Sequence, residues 1–289
     1  MKSASGFLNM KLRIIFAMYF AAMIAPQTGS AHGEVEIQIG LLTQKINAVA
    51  NPSAQLYLDR AELHREHKDW DAAKSDYERA AELDPKLPRL DLYRARMLDD
   101  AGEVEAARVL FDQILERIPN EGEAFMGRAR VWAKLGDRKK AVADFRQGLA
   151  HTTSPPPEYF LDFAQALAAD GKTEDALHVL DKGIKRAGPT IPLQGYALEL
   201  ELDRKNYDVA LTRIDTLIAP ASRKENLLTQ RGDILLAAGR IQEARASYES
   251  ALAAIRLLPM LLQKAPPMQN LQTRIQTALV SSAVKAENP

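Results

Sequence analysis

The chain has 289 residues, of which 46% are hydrophobic and 26% are charged, a composition typical of a folded globular protein of one or two domains. Lysine plus arginine and aspartate plus glutamate each number 38, so the formal charge is zero and no overall positive field favours nucleic-acid binding. The absence of cysteine excludes disulfides, thiolate catalysis and thiolate-bound metals.

The first 31 residues have the features of an export signal. Lys11 and Arg13 precede an apolar stretch at residues 14–25, and the small residues Gly29 and Ala31 close a polar segment after it. This apolar stretch is short for a bilayer-spanning helix. The sequence therefore predicts a signal peptide at 1–31, a mature chain that begins at His32, and a periplasmic location. Contact with a membrane is expected only through this segment before cleavage, and an uncleaved anchor is the alternative.

Residues 32–53 are predicted to form an N-terminal capping helix. The segment EVEIQIGLLTQKINAVA, residues 34–50, ends before Asn51-Pro52, where the proline disfavours a continuing helix. We expect this helix to lead into the repeated region that follows, because a stack of repeats needs a cover at its end.

A period of about 34 residues runs from residue 54 to residue 258. It is marked by an alanine that recurs at spacings of 34, 34, 35, 34 and 34: Ala73, Ala107, Ala141, Ala176, Ala210 and Ala244. A large apolar residue follows each alanine by four positions, and a small residue precedes it by twelve in every unit except the fifth, which has Leu198. Five positions before the alanine stands a glycine, replaced by Lys68 and Lys205 in the first and fifth units.

Each of these columns has a physical role. Two small residues on successive helices let the helix backbones approach closely, and the large residue fills the space between units. A glycine between them can take a positive φ and end the first helix. Each unit is therefore predicted to be a helix, a tight turn and an antiparallel helix.

This pattern resembles the tetratricopeptide repeat family, for example in RAELHREHKDWDAAKSDYERAAELDP of the first unit and RGDILLAAGRIQEARASYESAL of the sixth. The resemblance implies an all-α fold, a right-handed α-solenoid of about six helix-turn-helix repeats with N- and C-terminal capping helices. The six repeats would cover 54–87, 88–121, 122–155, 157–190, 191–224 and 225–258. Residues 259–289 would form the C-terminal capping helix and tail, with the helix at about 270–285, downstream of Pro266-Pro267.

In this family the first helices of the repeats line a concave groove. The resemblance places six charged side chains in that groove: Glu62, Arg65, Arg89, Arg96, Arg130 and Lys134. Arginines spaced along one face can bind the carboxylates of a peptide. The predicted partner is therefore a protein or peptide, acidic partners included, and not a nucleic acid; a merely solvated charged face is the alternative.

The stretch HREHKDWD, residues 64–71, is the main candidate for a metal site. His64 falls in a column otherwise filled mostly by apolar residues, which predicts a core or half-buried histidine, and Asp69 and Asp71 lie where acids favour the start of a helix. The alternative function is a periplasmic metal-handling protein that binds through an amino-terminal His32, with or without His64 and His67. No metal site is predicted, because three converging ligands are not evident.

Motifs for catalysis are absent from the sequence. There is no phosphate-binding glycine loop, no nucleophile elbow and no paired-histidine zinc helix. We therefore predict an exported interaction scaffold that is not an enzyme and uses no cofactor.

Overall fold

The computed structural model describes residues 28–188 and 190–287, which are helical apart from short connections. Its fifteen described helices are α1 (Thr28–Asn47), α2 (Ala54–Glu66), α3 (Trp70–Leu83), α4 (Leu90–Asp100), α5 (Val104–Arg117), α6 (Gly122–Lys134), α7 (Arg138–His151), α8 (Pro157–Ala169), α9 (Thr173–Ala187), α10 (Ile191–Asp203), α11 (Tyr207–Ile218), α12 (Glu225–Ala237), α13 (Ile241–Arg256), α14 (Met260–Gln263) and α15 (Pro266–Glu287). The predicted fold class, an all-α stack of helical hairpins, is confirmed. The predicted signal peptide falls mainly on residues 1–27, which lie outside the described residues.

The chain divides into two compact units, and the boundary lies inside α9, between Val179 and Leu180. The described part of the first unit is residues 28–179, and it contains three complete hairpins, α2/α3, α4/α5 and α6/α7, followed by α8. The second contains the hairpins α10/α11 and α12/α13, followed by α14 and α15. The proline-rich spacer at 152–157 lies within the first unit. The domain boundaries expected from the sequence stay a prediction.

The columns of the repeat form the cores of both units. The small residues are fully buried at Ala61, Ala73, Ala95, Ala107, Ala129, Ala141, Ala164, Ala176, Ala210 and Ala244. The large residues that follow the marker alanine are buried as well: Tyr77, Phe111, Phe145, Leu180, Ile214 and Tyr248. Close helix packing at the small positions leaves room for one large side chain per hairpin, as the spacing predicts.

The first helix of each hairpin ends in the same way. Gly102, Gly136, Gly171 and Gly239 have φ between 76° and 84°, and the two lysines that replace glycine, Lys68 and Lys205, have φ of 63° and 59°. The amide of the next residue then bonds to a carbonyl five positions back, for example Asp69 N to His64 O at 2.9 Å. This is the Schellman arrangement, and it turns the chain directly into the second helix.

Helices at both ends cover the stacked hairpins. In the first unit, α1 packs on α2 through the buried Ile46, and the Arg60 guanidinium donates to Thr43 Oγ1 at 3.0 Å. In the second unit, α15 contributes the buried Leu271 and Ile275 to the core. The helix α15 starts at Pro266, earlier than the sequence indicated. Two prolines fit there because the first turn of a helix leaves its amides without helical partners.

Candidate partner-binding groove

A cavity of about 820 Å³ opens in the first unit, between the first helices of its repeats. Its walls come mainly from α4, α6 and α8, with Arg65 contributed by α2. Nine charged side chains line it, four basic and five acidic: Arg65, Arg96, Arg130, Lys134, Asp99, Asp100, Glu123, Glu158 and Asp162. The cavity is therefore a surface of mixed charge and not a basic receptor.

Four of the six residues predicted for the groove line this cavity: Arg65, Arg96, Arg130 and Lys134. The structure thus brings them together on first helices, as the repeat register implies. Glu62 and Arg89 do not line the cavity; each instead contacts a residue that does. The role of all six in partner binding stays a prediction.

Basic side chains of the cavity bind carboxylates of a neighbouring repeat. Arg65 bonds to Asp100 at 2.6 Å, and Arg130 bonds to Asp162 at 2.6 Å. Lys134 Nζ donates to Asp99 Oδ1 at 2.7 Å and to the backbone carbonyl of the same residue at 3.0 Å. These contacts join residues about one repeat apart, so they form a ladder of ion pairs along the groove. We call this set, together with the Glu123 contacts below, the groove ladder.

Glu123 joins two of the predicted groove residues. One of its oxygens, Oε2, accepts from Arg89 at 2.5 Å and also from Arg96. Both guanidinium groups also lie over the ring of Tyr93, at 5.6 and 5.9 Å from its centroid. The carboxylate and the ring together hold two long side chains in one position, which reduces the entropy they would lose on binding a partner.

Glu62 is held inside the first hairpin and is not free to contact a ligand independently. Tyr77 donates its hydroxyl to Glu62, and Arg65 Nε donates to the same carboxylate at 3.2 Å. Burial raises the pKa of Tyr77, and the charge of Glu62 raises it further, so the phenol stays neutral and remains a donor. Burial alone would lower the pKa of Arg65, but its hydrogen bonds to Glu62 and Asp100 outweigh that effect and raise it.

Tyr159 contributes an aromatic ring to the wall of the cavity, which Phe111 and Phe145 also line. The Arg130 guanidinium lies over its ring, 5.5 Å from the centroid, and burial raises the pKa of its hydroxyl. An aromatic ring with a stacked cation offers a flat surface on which a ligand side chain or peptide group can pack.

Sequence reasoning missed several residues of the site, among them Glu123, Tyr159 and Asp162. Glu123 was detectable, because it lies 34 residues after Arg89, in the same column of the repeat. Tyr159 and Asp162 occupy columns that the family resemblance does not assign to the groove. No sequence signal marked their approach to Arg130.

The candidate metal ligands have other contacts in the structure. The Nδ1 atom of His64 lies 3.6 Å from Asp69 Oδ2, and its side chain is 16% exposed, in agreement with a half-buried position. His67 Nε2 lies 3.6 Å from Glu36 Oε1 on α1. Within the part of the chain that the structure describes, no cluster of three or more His, Asp or Glu side chains has the arrangement to hold a metal ion. Since the side chain of His32 lies outside the described residues, the metal alternative stays a prediction.

Comparisons with known proteins identify the repeat. The family described as "Tetratricopeptide repeat" matches residues 64–131, and the family described as "Tetratricopeptide repeat-like domain" matches residues 198–264. A curated relative, bacteriophage adsorption protein A of Escherichia coli K12, is 29% identical over 105 residues, 36% of this chain. The match spans only 10% of that relative's length.

Two solved structures have a similar fold. The structure of YrrB, described as a TPR protein with an unusual peptide-binding site, aligns with a TM-score of 0.52 and 15% identity, over 70% of this chain and 97% of that one. The type IV pilus biogenesis factor PilW aligns with a TM-score of 0.57 and 18% identity, over 77% of this chain and 99% of that one. The repeat columns, the hairpins and the two family matches show that this chain is built from tetratricopeptide repeats.

Proposed function

We propose that the protein is an exported scaffold that binds a peptide or protein segment in the cavity of its first unit. Tetratricopeptide repeats typically serve as protein interaction scaffolds, and the fold generally carries no enzymatic activity. The observation that supports this proposal most directly is the cavity, which is large enough for several residues of an extended peptide. Its polar walls are fixed in advance by the groove ladder, so binding requires little reorganisation.

The pairing in the groove ladder argues for a partner that carries both charges. A purely acidic ligand would compete with Asp100 and Asp162 for the same guanidinium groups, so little free energy would be gained from the exchange. A segment with acidic and basic side chains could instead add contacts to both members of each pair. This refines the sequence-based hypothesis of an acidic partner.

The groove assignment can be tested by exchanging the two members of one ion pair. A peptide selected from a displayed random library against the mature protein would serve as the probe, with its affinity measured by fluorescence anisotropy. The double variant Arg130→Asp/Asp162→Arg keeps an ion pair within the protein. It exchanges the positions of the positive and the negative charge that a ligand would contact. We expect the dissociation constant to rise more than about tenfold, a loss of about 1.4 kcal/mol or more in binding free energy.

Arg79→Glu is the matched control, because Arg79 is exposed, pairs with Glu82 at 2.7 Å and does not line the cavity. It should leave the affinity unchanged, and the helical circular dichroism of both variants should equal that of the wild type. Equal affinity of the inverted-pair variant and the wild type would remove the cavity as the binding site.

Export is the other part of the proposal. It is supported by the basic residues, the apolar stretch and the small residues before His32 in the sequence. Intact-mass measurement of protein purified from the periplasmic fraction would locate the mature start, which we expect at His32. A mass that includes residues 1–31 would contradict cleavage.

A further inference from the structure

An exposed apolar segment follows α13 in the second unit, and the partner-binding proposal does not involve it. Leu257 is 87% exposed, Leu261 82% and Met260 65%, and the adjacent Leu262 is 39% exposed. Exposed large apolar side chains elsewhere in the described chain are 37–67% exposed and mostly scattered singly. Exposure of this extent within six consecutive residues marks an interaction surface.

The segment is a folded turn, so the exposure of its side chains follows from ordered structure. Leu258 packs on the core of the second unit. The side-chain amide of Gln263 donates to the carbonyls of Arg256 and Leu258, at 3.1 and 2.7 Å. The amide of Leu262 bonds to the carbonyl of Pro259 at 2.9 Å. With Leu258 directed inward and the backbone fixed by these bonds, the neighbouring leucines and Met260 are held outward.

The charged residues that flank this turn along the chain are positive. Arg256 and Lys264 flank it, both are exposed, and neither has an ion pair among the described residues. Residues 250–286 contain no aspartate or glutamate. The arginines of the groove ladder, by contrast, are each paired with a carboxylate. Two unpaired cations on either side of an apolar tip complement a surface that is apolar inside and negatively charged outside.

We propose that residues 256–264 dock on the surface of an anionic phospholipid bilayer. Leu257, Met260 and Leu261 would enter the boundary between headgroups and acyl chains, and Arg256 and Lys264 would contact lipid phosphates. Contact between this turn and the same turn of a second copy of the chain is disfavoured, because it would bring their unpaired cations together. The proposed contact is interfacial, because the turn presents only a few apolar side chains between two cations. No helix in the described part of the chain has the length and hydropathy to cross a membrane. The proposal departs from the sequence-based expectation that only the signal peptide contacts a membrane.

The test uses the mature full chain with Met260→Trp as a reporter. The native tryptophans, Trp70 and Trp132, lie in α3 and α6 and supply the background signal from the unmodified chain. Vesicles of phosphatidylglycerol with phosphatidylethanolamine should shift the emission of the added tryptophan to the blue, and brominated acyl chains should quench it. Vesicles of phosphatidylcholine alone should do neither. Co-sedimentation of the wild-type chain should show the same preference for anionic vesicles.

Two variants separate the apolar and charged contributions. Leu257→Ser/Leu261→Ser should abolish vesicle binding, and Arg256→Glu/Lys264→Glu should weaken it more than about tenfold. The matched control, Val109→Ser/Ile118→Ser, removes apolar residues that are 45% and 53% exposed in the first unit, and it should bind as the wild type does. Circular dichroism checks that each variant is folded.

Three results would overturn the proposal. The first is no binding of the wild-type chain to anionic vesicles. The second is equal binding by Leu257→Ser/Leu261→Ser and the wild type. The third is self-association, measured by light scattering, that this variant abolishes while vesicle binding persists, which would make the turn a contact between copies of the chain.

Discussion

Gly232 shows how tightly single positions in the repeat are specified. It fills the small-residue column of the sixth repeat, where most other units have alanine. A Cβ atom built on Gly232 would lie 2.5 Å from Cε1 of Tyr248. That ring is fully buried, and its hydroxyl donates to Asp233 at 2.8 Å, so it cannot easily move aside. Glycine at this position is therefore required by packing.

We expect Gly232→Ala to lower the free energy of unfolding by about 1–3 kcal/mol, through overpacking against Tyr248. Alanine in place of glycine stabilises a helix by about 1 kcal/mol, and the expected loss of stability already includes this gain. Urea unfolding followed by circular dichroism would measure it. Gly40→Ala is the control, since Gly40 lies in α1 with no atom within 4 Å of an added Cβ. A control variant as unstable as Gly232→Ala would argue against a specific clash.

At the level of the helical hairpin, the turn after each first helix is the most uniform feature of the structure. The same positive φ occurs whether the residue is glycine or lysine. A residue with a Cβ in this conformation costs about 1–2 kcal/mol relative to glycine. The turns at Lys68 and Lys205 therefore hold their geometry against a local preference, because the surrounding helices and the Schellman hydrogen bonds define it.

We expect Lys68→Gly to raise the free energy of unfolding by about 0.5–1 kcal/mol, since relief of backbone strain exceeds the added entropy of the unfolded chain. The reverse change, Gly102→Lys, should lower it by about 1–2 kcal/mol, because Gly102 has a φ of 84°. Thermal unfolding measured by circular dichroism would show both shifts. The two variants are expected to change the free energy of unfolding in opposite directions. A destabilised Lys68→Gly variant would therefore contradict the prediction.

At the level of the whole molecule, the repeat period was sufficient to predict the fold class, the buried columns and the turns. These features depend on spacing within one chain segment, which the sequence displays directly. The partners of the groove residues were not predictable in the same way. Whether Arg130 pairs with Asp162, or His67 with Glu36, depends on how far each side chain extends toward the neighbouring repeat or helix. Spacing shows that such residues face the same side, but it does not show which of them pair.

The groove ladder predicts the effect of removing one complete repeat. Deletion of residues 88–121 keeps the period, but it places Lys134 where Asp100 had been, opposite Arg65. It also places Glu62 in the position that Arg96 had occupied, so that Glu62 lies opposite Glu123. We expect this shortened chain to gain about 0.5–1 kcal/mol of stability when Lys134→Asp restores an opposite charge next to Arg65. Chemical unfolding of the two shortened chains would measure the difference, and no gain would contradict the prediction.

The consequence of the groove ladder is that these repeats are not interchangeable, although their cores follow one pattern. The first repeat carries groove charges that match those of the second repeat and mismatch those of the third. Repeat arrays commonly change length by losing or gaining whole repeats, and here the loss of the second repeat would bring like charges together. These charges thus favour the native order of the first three hairpins, a property that the buried columns alone could not encode.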